Sequence, residues 1–184
     1  MDLDGSHYRR CPDCVWYTHA QARSAMGPPV GEIGSNVKRR VELLDDEGNH
    51  LTTVDAPADT EGYEGADLSG LTAPGLKTRL RFRSLRGAQL YWAMLQGADL
   101  SGCNLESADL RGANLRDVLL VGANLRNADL SRDNLGGSTS LQGANLTDAV
   151  LNRARLSGAK YDHRTIFPRG FSPAAAGMIE EDAQ

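Results

Sequence analysis

The chain has 184 residues, enough for one domain and a small appendage, and with 24% charged but only 5% aromatic residues any core it builds must be aliphatic. Its net charge of −4 is unevenly spread: residues 1–60 hold 6 Lys and Arg against 10 Asp and Glu, while residues 83–163 hold 9 against 8. The near-neutral second segment does not suit direct nucleic-acid binding. The opening MDLDGSHYRR has no apolar core of a secretory signal, and no stretch approaches the ~18 apolar residues of a membrane span, so a soluble, cytoplasmic chain is expected.

The first candidate element is a cysteine and histidine cluster. Cys11 and Cys14 lie between His7 and His19 in the pattern H-x3-C-x2-C-x4-H. Thiolate and imidazole are the ligands zinc prefers, and a Cys-Pro-x-Cys turn can present two sulfurs to one ion. The two halves are closer together than in a standard finger, and His50 could compete as a ligand. Three readings therefore stand side by side: a structural Zn2+ site on Cys11, Cys14, His7 and His19, a redox dithiol, or reduced cysteines beside ordinary surface histidines.

Next, VKRRVELL (37–44) and HLTTV (50–54), joined by the turn-like DDEGN, read as a β-hairpin. Residues 1–60 are expected to form a small N-terminal subdomain holding this hairpin, and residues 61–82 a linker leading into the repeats. At the junction, KTRLRFRSLR (77–86) carries Lys77, Arg79, Arg81, Arg83 and Arg86 with no acid among them. That stretch reads either as a phosphate-contact patch or, more simply, as a charged edge strand that discourages edge-to-edge pairing.

From residue 83 the chain returns to Leu every fifth position: Leu85, Leu90, Leu95, Leu100, Leu105, Leu110, Leu115, Leu120, Leu125, Leu130 and Leu135. One extra residue at Ser138 shifts the frame, and five more groups centre on Leu141, Leu146, Leu151, Leu156 and Tyr161. Five residues rotate a helix by about 140°, which would spiral the leucines over every side. In a straight strand an odd spacing throws alternate leucines onto opposite faces. What remains is a chain that is extended for three residues, with a small residue such as Ala98 and the following Leu100 pointing inward, and then turns a corner. Recurring Asp or Asn before Leu, and Gly at the close of the group, are the residues such corners need.

The groups ADLSG (98–102), ADLRG (108–112), GANLR (112–116) and GANLT (143–147) resemble the A(D/N)LXX unit of the pentapeptide-repeat family. TIFPRGF (165–171) is similar to the segment that many members place after their last coil. The resemblance covers residues 83–171 and extends to the isolated GADLSG (65–70). It implies an all-β fold, a right-handed quadrilateral β-helix of about four coils over residues 83–163, closed by a C-terminal cap and tail at 164–184. Stacking at intervals of 20 residues, or 21 across the frame shift, would align Leu85, Leu105, Leu125 and Leu146 in one column and Leu100, Leu120, Leu141 and Tyr161 in another. Arg111, Arg132 and Arg153 would line one wall. Asp133 stands in an inward slot, where an unpaired carboxylate is costly, so a bulge or loop is expected at 133–138. Arg83 holds the same slot in the first group, which would make Ala88 the start of the first regular coil. Cys103 reads as a small core residue.

No residue pattern points to catalysis: His163 has no nucleophile at a matching spacing, no Gly-rich phosphate loop is present, and a filled rod offers no cleft. The expected function is a non-catalytic scaffold for a protein partner, of unspecified oligomeric state. Some members of the family imitate duplex DNA and bind type II topoisomerases, which gives gyrase protection and antibiotic self-resistance. The near-neutral repeat and its small number of coils run against that alternative. A zinc-binding adaptor built on the N-terminal cluster is the third.

Overall fold

The computed structural model describes residues 37–44, 50–59, 63–72, 80 and 83–181. The candidate ligands Cys11, Cys14, His7 and His19, and the basic residues Lys77, Arg79 and Arg81, lie outside the described residues.

From Asp67 onward the described residues wind as a square solenoid. In each group the first and third residues point inward, as the fully buried pairs Ala98 and Leu100, Ala113 and Leu115, and Ala123 and Leu125 do. The other two residues make the corner, across which the next inward residue donates its N–H to the carbonyl of the Leu, as Ala113 does to Leu110 at 3.1 Å. The residue just before that donor takes a positive φ, 69° at Gly97 and 66° at Gly122. This is a turn whose third residue is left-handed, and it explains the recurring glycine. The Asp or Asn between the inward residues helps, because its Oδ1 accepts the N–H two residues on: Asp99 from Ser101 at 2.9 Å, Asn145 from Thr147 at 3.0 Å.

Successive coils pair in parallel through the residue between the two inward ones. The first face stacks Ser84, Asn104, Asn124 and Val150; the second Asp67, Gln89, Asp109, Asp129 and Arg155; the third Thr72, Met94, Asn114, Ser140 and Lys160; the fourth Asp99, Leu119, Asn145 and Ile166. Asn104 donates its N–H to Arg83 in the coil before at 3.0 Å, while Leu105 donates to Asn124 in the coil after at 2.8 Å. Each internal segment thus has both its edges bonded, which is how a chain with so little conventional strand satisfies its backbone.

Both ends are closed. β1 (Lys38–Leu44) and β2 (His50–Pro57) form the antiparallel hairpin, with Val41 opposite Val54. Leu43, Val54 and Ala56 are buried in the same cluster as Ala66 and Leu68, and Asp67 donates its N–H to Asp55 at 3.0 Å. At the other end Phe167 meets Tyr161 edge-on at 5.5 Å and stacks on Phe171 at 5.2 Å. There β4 (Ile179–Glu180) pairs in parallel with β3 (Lys160–Tyr161) and extends the third face.

The structure departs from the sequence reading at three places. The array starts before residue 83: Asp67 already pairs with Gln89 and Thr72 with Met94, so the GADLSG motif is part of an earlier coil. Ser84 pairs with Asn104, so the backbone is regular ahead of Ala88 although Arg83 itself is exposed. The third departure is at Leu135. Leu85, Leu90, Leu95, Leu100, Leu105, Leu110, Leu115, Leu120, Leu125, Leu130, Leu141, Leu146 and Leu156 are buried, and Leu151 and Tyr161 pack on the cluster while partly exposed, but Leu135 is 80% exposed. Asn104 and Asn124 are 20 residues apart, whereas Asn124 and Val150 are 26 apart. The whole group around Leu135 is looped out together with Ser138, and Thr139, fully buried, fills the inward slot.

This longer step corrects the columns. Leu151, not Leu146, follows Leu125, and Leu146 with Phe167, rather than Leu141 with Tyr161, follows Leu120. The supposed arginine column dissolves for the same reason: Arg132 packs against Gly158, one coil above, and Arg153 is the left-handed residue (φ 60°) at a corner.

Burying one Leu contributes about 1.5–3 kcal/mol, and a carboxylate in its place adds a desolvation cost. Leu120→Asp should therefore abolish the cooperative unfolding transition in circular dichroism, whereas Leu135→Asp should leave the urea midpoint within experimental error. Equal loss in both variants would contradict the looped-out register.

Candidate interaction site at the 133–138 loop

The loop leaves the solenoid at the corner between the second and third faces and folds back over the two preceding coils. Its anchor is Asp133, which is 6% exposed. One carboxylate oxygen accepts the backbone N–H groups of Leu135 at 2.8 Å and Gly137 at 2.6 Å; the other accepts the indole N–H of Trp92 at 2.7 Å and the hydroxyl of Tyr91 at 3.3 Å. Asp133 also donates its own N–H to Gly137 at 2.8 Å. Burial pushes this carboxyl up, but the N–H groups of Gly137 and Leu135 and the side chains of Trp92 and Tyr91 hold it below the usual carboxylate range. Four donors on one side chain make the loop a fixed feature of the surface.

The surroundings are shaped for it. Trp92 occupies a corner position with φ 59°, a conformation that a bulky residue adopts only when its surroundings impose it. Gly112, on the corner between Trp92 and the loop, has no room for a side chain: a Cβ there would lie 2.9 Å from Trp92 Nε1 and 3.2 Å from Asp133 Oδ2. At the loop's base, Thr139 Oγ1 accepts the N–H of Gly112 at 3.1 Å and donates to the carbonyl of Leu110 at 3.0 Å. What emerges is a clamped loop that rests on the half-exposed Trp92 ring and leaves Leu135 exposed.

The second face alongside carries paired charges. Arg111 binds Asp109 through two contacts of 2.9 and 2.6 Å and lies 5.6 Å from the Tyr91 ring centroid, and Arg155 binds Asp129 at 3.1 Å. The hydrogen bond from Arg111 holds the Asp109 carboxyl below its ordinary range. Of the basic patch, Arg83 and Arg86 are described; both are exposed, and Arg86 lies 3.9 Å from Glu64. His50 rests its Nε2 2.8 Å from Thr53 Oγ1. Among the described residues no three His, Cys, Asp or Glu side chains converge in a metal-binding arrangement.

A second buried carboxylate marks the corner between the third and fourth faces. Asp162 accepts from the Gly143 N–H at 2.8 Å, from Thr165 Oγ1 at 3.0 Å and from Arg164 Nε at 3.1 Å. Burial pushes its pKa up, yet these bonds prevail and bring it down to about 2. It staples the last coil to the one below.

Sequence reading located the loop but missed Tyr91 and Trp92. The available signal was Trp92 itself, a bulky residue at the position where neighbouring groups place Gly87, Gly97 and Gly102.

The model of the family described as pentapeptide repeats matches 8 copies, over residues 84–120, 108–138 and 134–160. Among solved structures, a pentapeptide repeat protein from Nostoc PCC 7120 is 30% identical over 62% of this chain and 84% of its own, with a TM-score of 0.25. A pentapeptide repeat protein of the Arabidopsis thaliana thylakoid lumen is 28% identical over 53% of this chain and 66% of its own, with a TM-score of 0.41. HetL, a pentapeptide repeat protein involved in heterocyst differentiation regulation from Nostoc sp. strain PCC 7120, is 27% identical over 63% and 58%, with a TM-score of 0.40. The chain thus spans somewhat under two thirds of the length of the Arabidopsis protein and of HetL. No curated protein matches it. The chain belongs to the pentapeptide-repeat family, whose members fold as right-handed quadrilateral β-helices.

Removing the anchor should free the loop without unfolding the rod. In Asp133→Ala the Trp92 indole proton, read by NMR, should exchange with solvent faster and its emission should shift to the red, with Trp16→Phe as background. An unchanged indole signal would contradict the clamp. The Asp162 carboxyl, held at about 2 in the fold against 3.8 ordinarily, contributes stability that is complete above about pH 4 and fades as pH falls toward 2. Asp162→Asn should therefore be less stable at neutral pH and show a shallower loss of urea midpoint between pH 4 and pH 2 than the parent chain.

Proposed function

We propose that the chain is a non-catalytic protein–protein interaction module, in which the filled β-helix is a rigid support and the 133–138 loop is its contact point. The observation that carries this reading is the division of labour in the loop. The Asp133 carboxylate fixes the backbone with four donors, while Leu135 is left 80% exposed. The half-exposed Trp92 ring lies against the same loop at Gly137, so the exposed apolar surface there is more than one side chain, and it is grouped apolar side chains that mark contact sites. The aliphatic interior supports the same reading, because the inward slots of the described coils are filled by Leu and Ala.

The charge of the repeats weighs against imitation of DNA, since residues 83–163 balance 9 basic against 8 acidic side chains. The reading is tested by chemical cross-linking of the full chain in its native cells, followed by mass spectrometry, with the wall variant Leu119→Ser and the loop variant Leu135→Ser in parallel. Proteins that cross-link to the parent chain and are lost from a folded surface variant are expected. Protection of gyrase supercoiling from a fluoroquinolone would overturn the reading in favour of topoisomerase binding, and partners lost only when the fold is lost would also contradict it.

A further inference from the structure

We infer that the open backbone edge of the first face at residues 149–151 receives an extended strand of a partner protein, which sets an apolar residue in the groove beside the edge and a carboxylate on Arg169. The site is separate from the 133–138 loop and stands on a different observation. Inside the rod a segment of this face is bonded from both sides: Val150 donates its N–H to Ala123, and Leu125 donates to Val150, both at 2.9 Å. At residues 149–151 that ladder stops. Among the described residues, no donor reaches the carbonyl of Ala149 and no acceptor reaches the N–H of Leu151. The chain passes this edge again without bonding it, since Phe171 donates its N–H back to Pro168 at 3.1 Å. A groove of about 400 Å³ remains, bounded by residues 149–152 on one side and residues 168–171 on the other. The aromatic stack thus closes the core at this end and leaves the backbone edge open, and an open edge is a template for a further strand.

The third face shows what such an edge accepts. There β4 adds itself in parallel, and Ile179 donates its N–H at 2.8 Å to Ala159, the counterpart of Ala149. Met178, just before the strand, is 8% exposed, and the Glu181 carboxylate lies 2.7 Å from Lys160 Nζ. The added strand brings a buried apolar side chain, backbone bonds and a carboxylate for a cation of the rod. The first face offers partners for all three. Its backbone groups are open, Val150, Leu151, Pro168 and Phe171 make the groove apolar, and Arg169 is its one charged lining residue. Arg169 is exposed, with no carboxylate within ion-pair distance among the described residues, so it favours an acidic strand and repels a basic one. The described strands of a second copy do not fit. Its β4 is committed to its own third face, its β2 is bonded to β1 and through Asp55 to Asp67, and its β1 would bring Lys38, Arg39 and Arg40 to Arg169.

The probe is a displayed library of random peptides selected on the immobilised full chain. Enriched peptides are then titrated against the isotope-labelled parent chain, Arg169→Glu and Leu135→Ser, with amide exchange followed at Leu151. Both substitutions are at exposed side chains, and unchanged thermal transitions confirm that the variants are folded. Enrichment of peptides that combine acidic and apolar residues is expected, and their binding should slow exchange of the Leu151 N–H about tenfold or more. They should bind Leu135→Ser as tightly as the parent chain and Arg169→Glu about tenfold more weakly, by a margin that narrows as salt is raised. Methylating the peptide nitrogens one at a time should abolish binding only at alternate residues, because only alternate N–H groups face the edge. No enrichment, enrichment of basic peptides, or binding indifferent to methylation would overturn the inference. Peptides lost with Leu135→Ser and kept by Arg169→Glu would also overturn it, in favour of the loop, whose own cross-linking test stands apart from this one. Self-association of the parent chain that Arg169→Glu abolishes would put a second copy on the edge, and so overturn it as well.

Discussion

Every coil of this molecule depends on the coils before and after it through a ladder of backbone hydrogen bonds. An extended segment of three residues is too short to be stable alone, and its N–H and C=O groups are satisfied only when a neighbouring coil presents its own segment in register. The inward Leu and Ala columns supply the apolar burial that makes this stacking favourable, and the corners supply the turns that make it geometrically possible. Side-chain identity is therefore tightly constrained at the inward positions and loosely constrained on the walls, so the same rod can carry very different surfaces.

One residue shows how strict the constraint is. Asp133 falls where a small apolar side chain belongs, and inside the rod its charge would have no partner. The chain resolves the conflict by looping out the whole group with Ser138 and resuming at Thr139, whose hydroxyl bonds the corner one coil below. The expelled carboxylate then becomes the organising group of the loop it created, held by Trp92, Tyr91 and two backbone N–H groups. An incompatibility with the core has become a fixed surface feature.

Much of the architecture was legible in the residues. The period of five excludes helix and flat strand without reference to any known protein, and the hairpin followed from two β-rich runs flanking a turn. The loop at 133–138 was legible from the cost of a buried carboxylate. Its extent was not, because Leu135 keeps the period, and local pattern alone cannot tell a Leu in the core from a Leu carried out on a loop. Only the coil-to-coil pairing, Asn114 with Ser140, Leu119 with Asn145, Asn124 with Val150 and Asp129 with Arg155, reveals that the coil is 26 residues long. The candidate site was harder still. Trp92 and Asp133 are 41 residues apart in the chain, and only the winding of the coils brings them to 2.7 Å.

Both the loop and the contact it offers therefore turn on register, and register can be measured directly. In a background with Cys11, Cys14 and Cys103 replaced by Ser, Ser and Ala, Cys pairs can be introduced at Asn124 and Val150, and in a second chain at Asn124 and Asn145. Paired residues on adjacent coils lie within the Cα separation of about 4.4–6.8 Å that a disulfide spans. Mild oxidation should close the first pair nearly completely, seen as a mobility shift on a non-reducing gel, and leave the second open. Closure of the 124 and 145 pair instead would put Leu135 back in the core and contradict both the loop and the function built on it.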